Sequence, residues 1–142
     1  MKLKNGIVIE DDFLLTFQEL LNKDMPAKQC LELSTCLDEL ISHINVVRRT
    51  KRALIEKYAK KNKDGEILSD EDGAILFDDD EKRQKCLSEI NEIMNESIDI
   101  SLSEPVKIYA DEIMTPKKVR LLKDVIEIVE REQSEQEKSE EK

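Results

Sequence analysis

Aromatic side chains are nearly missing from this chain, which has no Trp, two Tyr and three Phe among 142 residues. A core built without them must be aliphatic, drawn mainly from Leu, Ile and Val. Glycine and proline are scarce too, at three each. So few glycines, all at predicted turns, leave no Gly-rich phosphate loop. Apolar runs never exceed four residues, which excludes a membrane-spanning helix. Met1 to Asn5 carries neither a long apolar segment nor a cleavage site, so no secretion signal is expected there. His43 is the single histidine. It has no identifiable Cys or Asp partner and reads as a partly exposed structural residue, not a general base. Nucleophile motifs are also missing.

The three cysteines are an odd count. Cys30 and Cys36 stand six apart on a predicted helix, about 240° around it, so they face different ways. Cys86 falls on another helix. None of them reads as a metal or disulfide pair, and reduced, partly buried thiols are the expectation.

Charge is what the chain has in quantity. Charged residues are 39% of the total and the formal net charge is −10. Such a balance suits long two-sided helices in one domain with a modest core. It argues against direct nucleic-acid binding, which draws on clustered Lys and Arg. It allows an acidic surface that meets a basic partner or imitates DNA, although solubility is the simpler account.

One stretch dominates the pattern, from Pro26 to about Tyr58. Cys30, Leu33, Leu37, Leu40, Ile44, Val47, Lys51, Leu54 and Tyr58 recur in alternating steps of three and four, as in a coiled-coil seam. Only Lys51 interrupts the apolar series, and its stem can lie along the seam. Asp24 is placed to cap this helix, and Pro26 suits its first turn. Its C-terminal half carries Arg48, Arg49, Lys51, Arg52 and Lys57, then Lys60, Lys61 and Lys63. These complement the helix dipole and can pair with the acidic run that follows. A contact for phosphate or an acidic partner is the alternative.

Before it, residues 1–9 read as a short strand or hairpin turning at Asn5-Gly6 into Ile7-Val8-Ile9. A helix follows from Asp11 and Asp12, with Phe13, Leu14, Phe17, Leu20 and Leu21 on one face. After the long helix, Glu66–Ser69 against Ala74–Phe77 reads as a β-hairpin bent at Asp70 to Gly73. A third helix is expected over about 79–96, with Cys86, Leu87, Ile90, Ile93 and Met94 inward, folding back antiparallel on the long one. Ile98 to Leu102 and Val106 to Tyr109 are strand-like, and Pro105 separates them. A small sheet with residues 1–9 is expected. Thr115-Pro116 opens a last helix bearing Val119, Leu121, Leu122, Val125, Ile126, Ile128 and Val129. The predicted fold is therefore mainly α within an α+β class: a long antiparallel helical hairpin with a β-hairpin at its tip, a small sheet and a C-terminal helix. Residues 1–130 form one domain. Residues 131–142, with five Glu among twelve residues, form an acidic low-complexity tail that is frayed or disordered.

A calcium loop is the sharpest chemical motif. Counting from Lys60, the residues Asn62, Asp64, Gly65, Ile67 and Glu71 occupy positions three, five, six, eight and twelve. Position one calls for Asp, and Lys60 there removes a ligand and repels the ion. The clusters Asp70-Glu71-Asp72 and Asp78-Asp79-Asp80-Glu81 read as an acidic turn and helix start before they read as a magnesium site. The chain is accordingly expected to be a non-enzyme without cofactor or metal. The candidate contact residues are Leu33, Leu37, Leu40, Ile44 and Val47 on the seam, with Asp78, Asp79 and Asp80.

Several segments together carry a resemblance. They are Met1 to Asn5; Met25-Pro26-Ala27-Lys28; Leu54 to Lys60 followed by Lys63-Asp64-Gly65-Glu66; Asp72-Gly73; and Ile98-Asp99-Ile100 followed by Thr115-Pro116. In order and spacing they resemble a family of small uncharacterised proteins from tailed bacteriophages and prophages of low-GC bacteria. The resemblance reaches residue 130 and supplies no catalytic or ligand residue. It implies a phage protein in the host cytoplasm or the virion that acts without catalysis. Two roles follow. One is a virion, tail or neck accessory or assembly component whose partners are phage structural proteins or a second copy. The other is an acidic inhibitor that meets a basic host nuclease or defence protein in place of DNA. Calcium titration is expected to give neither heat nor spectral change; a saturable response would restore the 60–71 loop as an ion site.

Overall fold

A computed structural model of the chain describes residues 1–130. The expected acidic tail lies outside the described residues. The fold is mixed α+β, with a 32-residue helix at its centre. In chain order the elements are β1 (Lys2–Lys4), α1 (Asn5–Val8), α2 (Phe13–Leu20), α3 (Ala27–Tyr58), α4 (Asp80–Asn95), β2 (Ser97–Asp99), β3 (Val106–Tyr109), α5 (Pro116–Leu122) and β4 (Ile126–Val129).

α3 is about 48 Å long at ~1.5 Å per residue. Its buried stripe is Leu33, Cys36, Leu40, Ile44 and Val47. The predicted seam is therefore rotated at its N-terminal end. Cys36 is buried where Cys30 and Leu37 are half-buried, and Lys51 is exposed. A straight helix drifts ~20° per heptad against a seven-residue repeat, and here the wall receives several short elements instead of one parallel partner helix. The expected cap also differs. Pro26, not Asp24, holds the N-cap position, and no side chain caps it.

The principal core gathers on the first half of α3. Phe13, Phe17 and Leu20 of α2, Val8 of α1, Leu3 of β1 and Leu121 and Leu122 of α5 join Leu33, Cys36, Leu40 and Ile44. The rings of Phe13 and Phe17 are 6.1 Å apart and tilted by 31°. Thr115 caps α5 by accepting from the Lys118 backbone N–H at 3.3 Å, with Pro116 at the first turn as its fixed φ favours.

Both ends of the chain depart from expectation. Asn5-Gly6 is not a hairpin turn, and Ile7-Val8-Ile9 is not a strand. The chain leaves β1 directly into the single turn α1. Gly6 lies in this turn against the end of α4, where an added Cβ would meet the Met94 carbonyl oxygen at 3.4 Å, an ordinary contact. The last helix stops at Leu122, and Ile126–Val129 form β4. Those residues are β-branched and alternate with Glu127. The open side of β3 offers them hydrogen bonds that a longer helix would forgo. Thus residues 97–99 pair antiparallel with residues 2–4, while β3 pairs in parallel with β4 as a second sheet. A parallel pair needs a crossover between its strands, and α5 lies in it.

A buried amide ties these pieces together. Asn5 is 2% exposed. Its Nδ2 donates to the Ile93 carbonyl at 2.8 Å and its Oδ1 stands 2.6 Å from His43 Nε2. Its backbone N–H donates to the Glu96 carbonyl at 2.9 Å. An amide oxygen can only accept, so Nε2 of His43 carries the proton. Asn5→Ala takes the amide away from His43 and from the Ile93 carbonyl, which keeps only the Glu96 N–H, and so undoes the tie between α3 and α4. It should lower the unfolding free energy by about 2 kcal/mol, read as a urea midpoint shift at unchanged slope.

All three thiols are free. Burial, followed by the negative charge of Glu39 and Glu32, raises the Cys36 pKa; burial and Glu89 raise that of Cys86. A raised pKa leaves less thiolate. At about pH 8 a thiol reagent should label half-buried Cys30 more than ~10-fold faster than Cys36 or Cys86, and denaturant should equalise the three.

Candidate interaction surfaces

The seam residues named as contacts lie inside the molecule. Leu33, Leu40 and Ile44 are fully buried, Val47 nearly so, and Leu37 packs against the core from its margin. They are covered by the chain's own short elements, which the heptad pattern could not foresee. What α3 leaves in solvent is Leu31, at 69% exposure, together with Ile41 and Val46.

Past Ile44 the structure changes character. Val47, Ala59 and Cys86 are buried apart from the principal core, where α4 packs on the second half of α3. Cys86 Sγ lies 3.9 Å from the Leu54 carbonyl, and the Tyr58 hydroxyl donates to Glu89 Oε1 at 3.0 Å. Glu89 Oε2 is buried with no hydrogen-bond partner among the described residues.

In the connection from residue 59 to 79 the expected hairpin is reduced to one antiparallel bridge, Ser69 to Ile75, across a turn at Asp70–Gly73, and it is joined by a third segment. Single bridges join Ala59 to Phe77, Lys61 to Ile67 and Ser69 to Ile75. Lys60 donates its N–H to the Leu76 carbonyl (2.8 Å), Leu76 to Leu68 (3.0 Å) and Leu68 to Lys60 (2.9 Å). The three backbones thus close a ring, with its members eight residues apart. Two equivalent loops hang from it. Asn62 Oδ1 accepts from the Asp64 and Glu66 N–H groups at 2.9 and 3.0 Å; Asp70 Oδ1 accepts from Asp72 and Ala74, both at 2.9 Å. Gly65 and Gly73 take positive φ, 81° and 84°, a conformation that glycine adopts without steric cost. An eight-residue repeat was legible in advance: Asn62-Lys63-Asp64-Gly65-Glu66-Ile67-Leu68 against Asp70-Glu71-Asp72-Gly73-Ala74-Ile75-Leu76. Asn62, the third position of the calcium template, is thus engaged with backbone. Among the described residues no cluster of His, Cys, Asp or Glu is arranged to hold a metal ion.

Asp78, Asp79 and Asp80 are exposed and locally tied. Asp79 caps α4 by accepting from the Lys82 N–H at 2.8 Å, while Asp78 and Asp80 pair with Lys82 and Arg83, both at 3.2 Å. Glu81 pairs with Lys85. The acidic run therefore meets cations of α4 itself. Among the described residues it makes no ion pair with Arg49, Lys51 or Arg52 of α3.

A groove of about 780 Å³ opens at the other end of α3, lined by Lys23, Gln29, Glu32, Ser103, Lys107 and Glu112 among others. Its polar groups hold the fold. Glu32 accepts from Ser103 Oγ at 2.9 Å, Gln29 donates to the Pro105 carbonyl at 3.4 Å, and Lys23 pairs with Glu112 at 2.6 Å. No described helix is long and apolar enough to cross a membrane.

Compared with protein-family models, curated proteins and solved structures, the chain finds no match.

The three aspartates differ in their jobs. Asp79→Ala removes a helix cap and should cost about 1 kcal/mol. Asp78→Ala breaks one exposed pair and should cost less than ~0.5 kcal/mol. Thermal unfolding of the two variants separates them.

Proposed function

We propose that this is a non-catalytic bacteriophage protein that makes protein–protein contacts, as a virion, tail or neck accessory part or as an assembly factor. In this reading α3, the ringed connection and α4 form a helical-hairpin arm, and the compact end around Ile44 is its base. The observation that carries it is the division of α3. One half lies in the principal core, while the other extends with α4 to a connection whose apolar Leu76 is exposed. A long helix that outruns its own core presents surface at a distance, which suits docking better than chemistry. The site of action is then the host cytoplasm or the particle.

Mass spectrometry of purified particles tests this reading. The chain should appear at fixed stoichiometry or co-purify with particle proteins from infected cells. Its consistent absence from particles, precursors and their protein complexes would contradict an assembly role.

The exposed carboxylates of residues 64–81 favour a second reading, an inhibitor that presents them to a basic host nuclease or defence protein in place of phosphates. Binding of that kind weakens steeply with salt. Asp78→Asn, Asp80→Asn and Asp79→Ser together remove three charges and keep a capping hydroxyl. Affinity for the host partner should fall more than ~10-fold; unchanged affinity would remove the idea.

A further inference from the structure

We propose that two copies of this chain pair through their arms, the acidic connection of each lying on the basic face of the other's α3. The inference rests on the contact-protein reading and names one partner for that surface. Its basis is an uneven division of charge. From Arg48 to Tyr58, α3 carries five cations, Arg48, Arg49, Lys51, Arg52 and Lys57, against the single carboxylate of Glu56. The connection over 59–81 carries three lysines against nine carboxylates.

Among the described residues neither set is fully neutralised within one copy. Arg49, Lys51 and Arg52 are exposed, and no ion pair engages them among the described residues. Among the described residues Arg48 reaches only the Ile9 carbonyl, at 3.5 Å, and Lys57 lies over the Tyr58 ring. On the acidic side, Asp78, Asp80 and Glu81 are matched by cations of α4. Asp64, Glu66, Glu71 and Asp72 are exposed and make no ion pair among the described residues. The helix itself keeps the unmatched groups apart. Arg52 stands roughly two turns, about 10 Å, and Arg49 nearly three turns, about 15 Å, short of the connection at ~1.5 Å per residue, beyond a Debye length in physiological salt.

A second copy removes the obstacle. Two arms overlapped by two or three turns, running in opposite directions, set each connection against the other's Arg48–Arg52 turn. The same contact is made twice about a two-fold axis, as in an isologous dimer. Leu87, 45% exposed on α4, and Leu76, 38% exposed on the connection, lie in the overlapped zone and add apolar area between the charges.

Charge reversal tests this directly on the full chain by sedimentation velocity. The wild type should be dimeric at about 0.1 M salt and monomeric at about 1 M. Arg49→Glu with Lys51→Glu and Arg52→Glu makes the whole arm acidic. Glu66→Lys with Glu71→Lys and Asp72→Lys leaves the connection with six lysines against six carboxylates and turns its two loops basic. Each triple variant alone should raise the dimer dissociation constant more than about tenfold. Mixed in equal amounts they should form a heterodimer, because each reversed surface then meets its opposite. That recovery excludes misfolding as the cause of the losses. A wild type monomeric at about 0.1 M salt, a dimer indifferent to salt and to both variants, or a mixture that stays monomeric overturns the pairing. A monomer found within particles would overturn the pairing alone. A salt-sensitive dimer absent from particles would support the pairing and overturn the virion assignment.

Discussion

Every other part of this protein leans on the apolar stripe of α3. Leu33, Cys36, Leu40 and Ile44 form a wall on which α1 and α2 pack directly, and α5 packs in turn on α2. None of those elements is long enough to be stable alone. α1 is a single turn and no strand exceeds four residues. Helices and strands so short gain their stability from tertiary burial and not from intrinsic propensity. Remove the wall and α1 and α2 lose the surface they pack against, and α5 loses its support with them.

The wall explains the core, and Asn5 explains how the arm is joined to it. Hydrophobic burial is non-directional, so it cannot by itself fix where α4 ends relative to α3. The buried amide can, because its donor and acceptor reach opposite helices, at Ile93 and His43. Beyond that clamp the second half of α3 has a thin interior, and its outer faces carry charge. Glu89, with one bonded and one orphaned carboxylate oxygen, is the most strained feature of that interior. A buried acceptor without a partner costs roughly 1–3 kcal/mol. Tyr58 compensates part of it through its hydroxyl.

α3 was legible in the sequence because its spacing of threes and fours persists over eight turns. α2 and α4 were legible for the same reason, and Thr115-Pro116 located the start of α5. What could not be read was which side of α3 would be covered, and by what. The heptad pattern placed Leu33, Leu37, Leu40, Ile44 and Val47 on a seam for a partner; the chain's own ends fill it. Asn5 looked like a turn residue because its partners lie 38 and 88 positions away, beyond any local window. Ile7 to Ile9 and Ile126 to Val129 show the same limit in opposite directions. Burial against α3 turned a β-branched run into a helical turn, and a free strand edge turned an apparent helix end into a strand. The ring at residues 60, 68 and 76 is different: its eight-residue repeat stands openly in the sequence, but the cyclic hydrogen bonding follows only once three backbones meet.

One uninterrupted helix, α3, runs from the core wall through the half that α4 covers. Amide hydrogen exchange along α3 tests this continuity most directly. Exchange should be slowest from Cys36 to Val47, with measurable, weaker protection continuing through Arg52 to Tyr58, stabilised by α4. Exchange from Arg48 to Tyr58 as fast as in an unfolded chain would contradict it, because the helix would then end with its core.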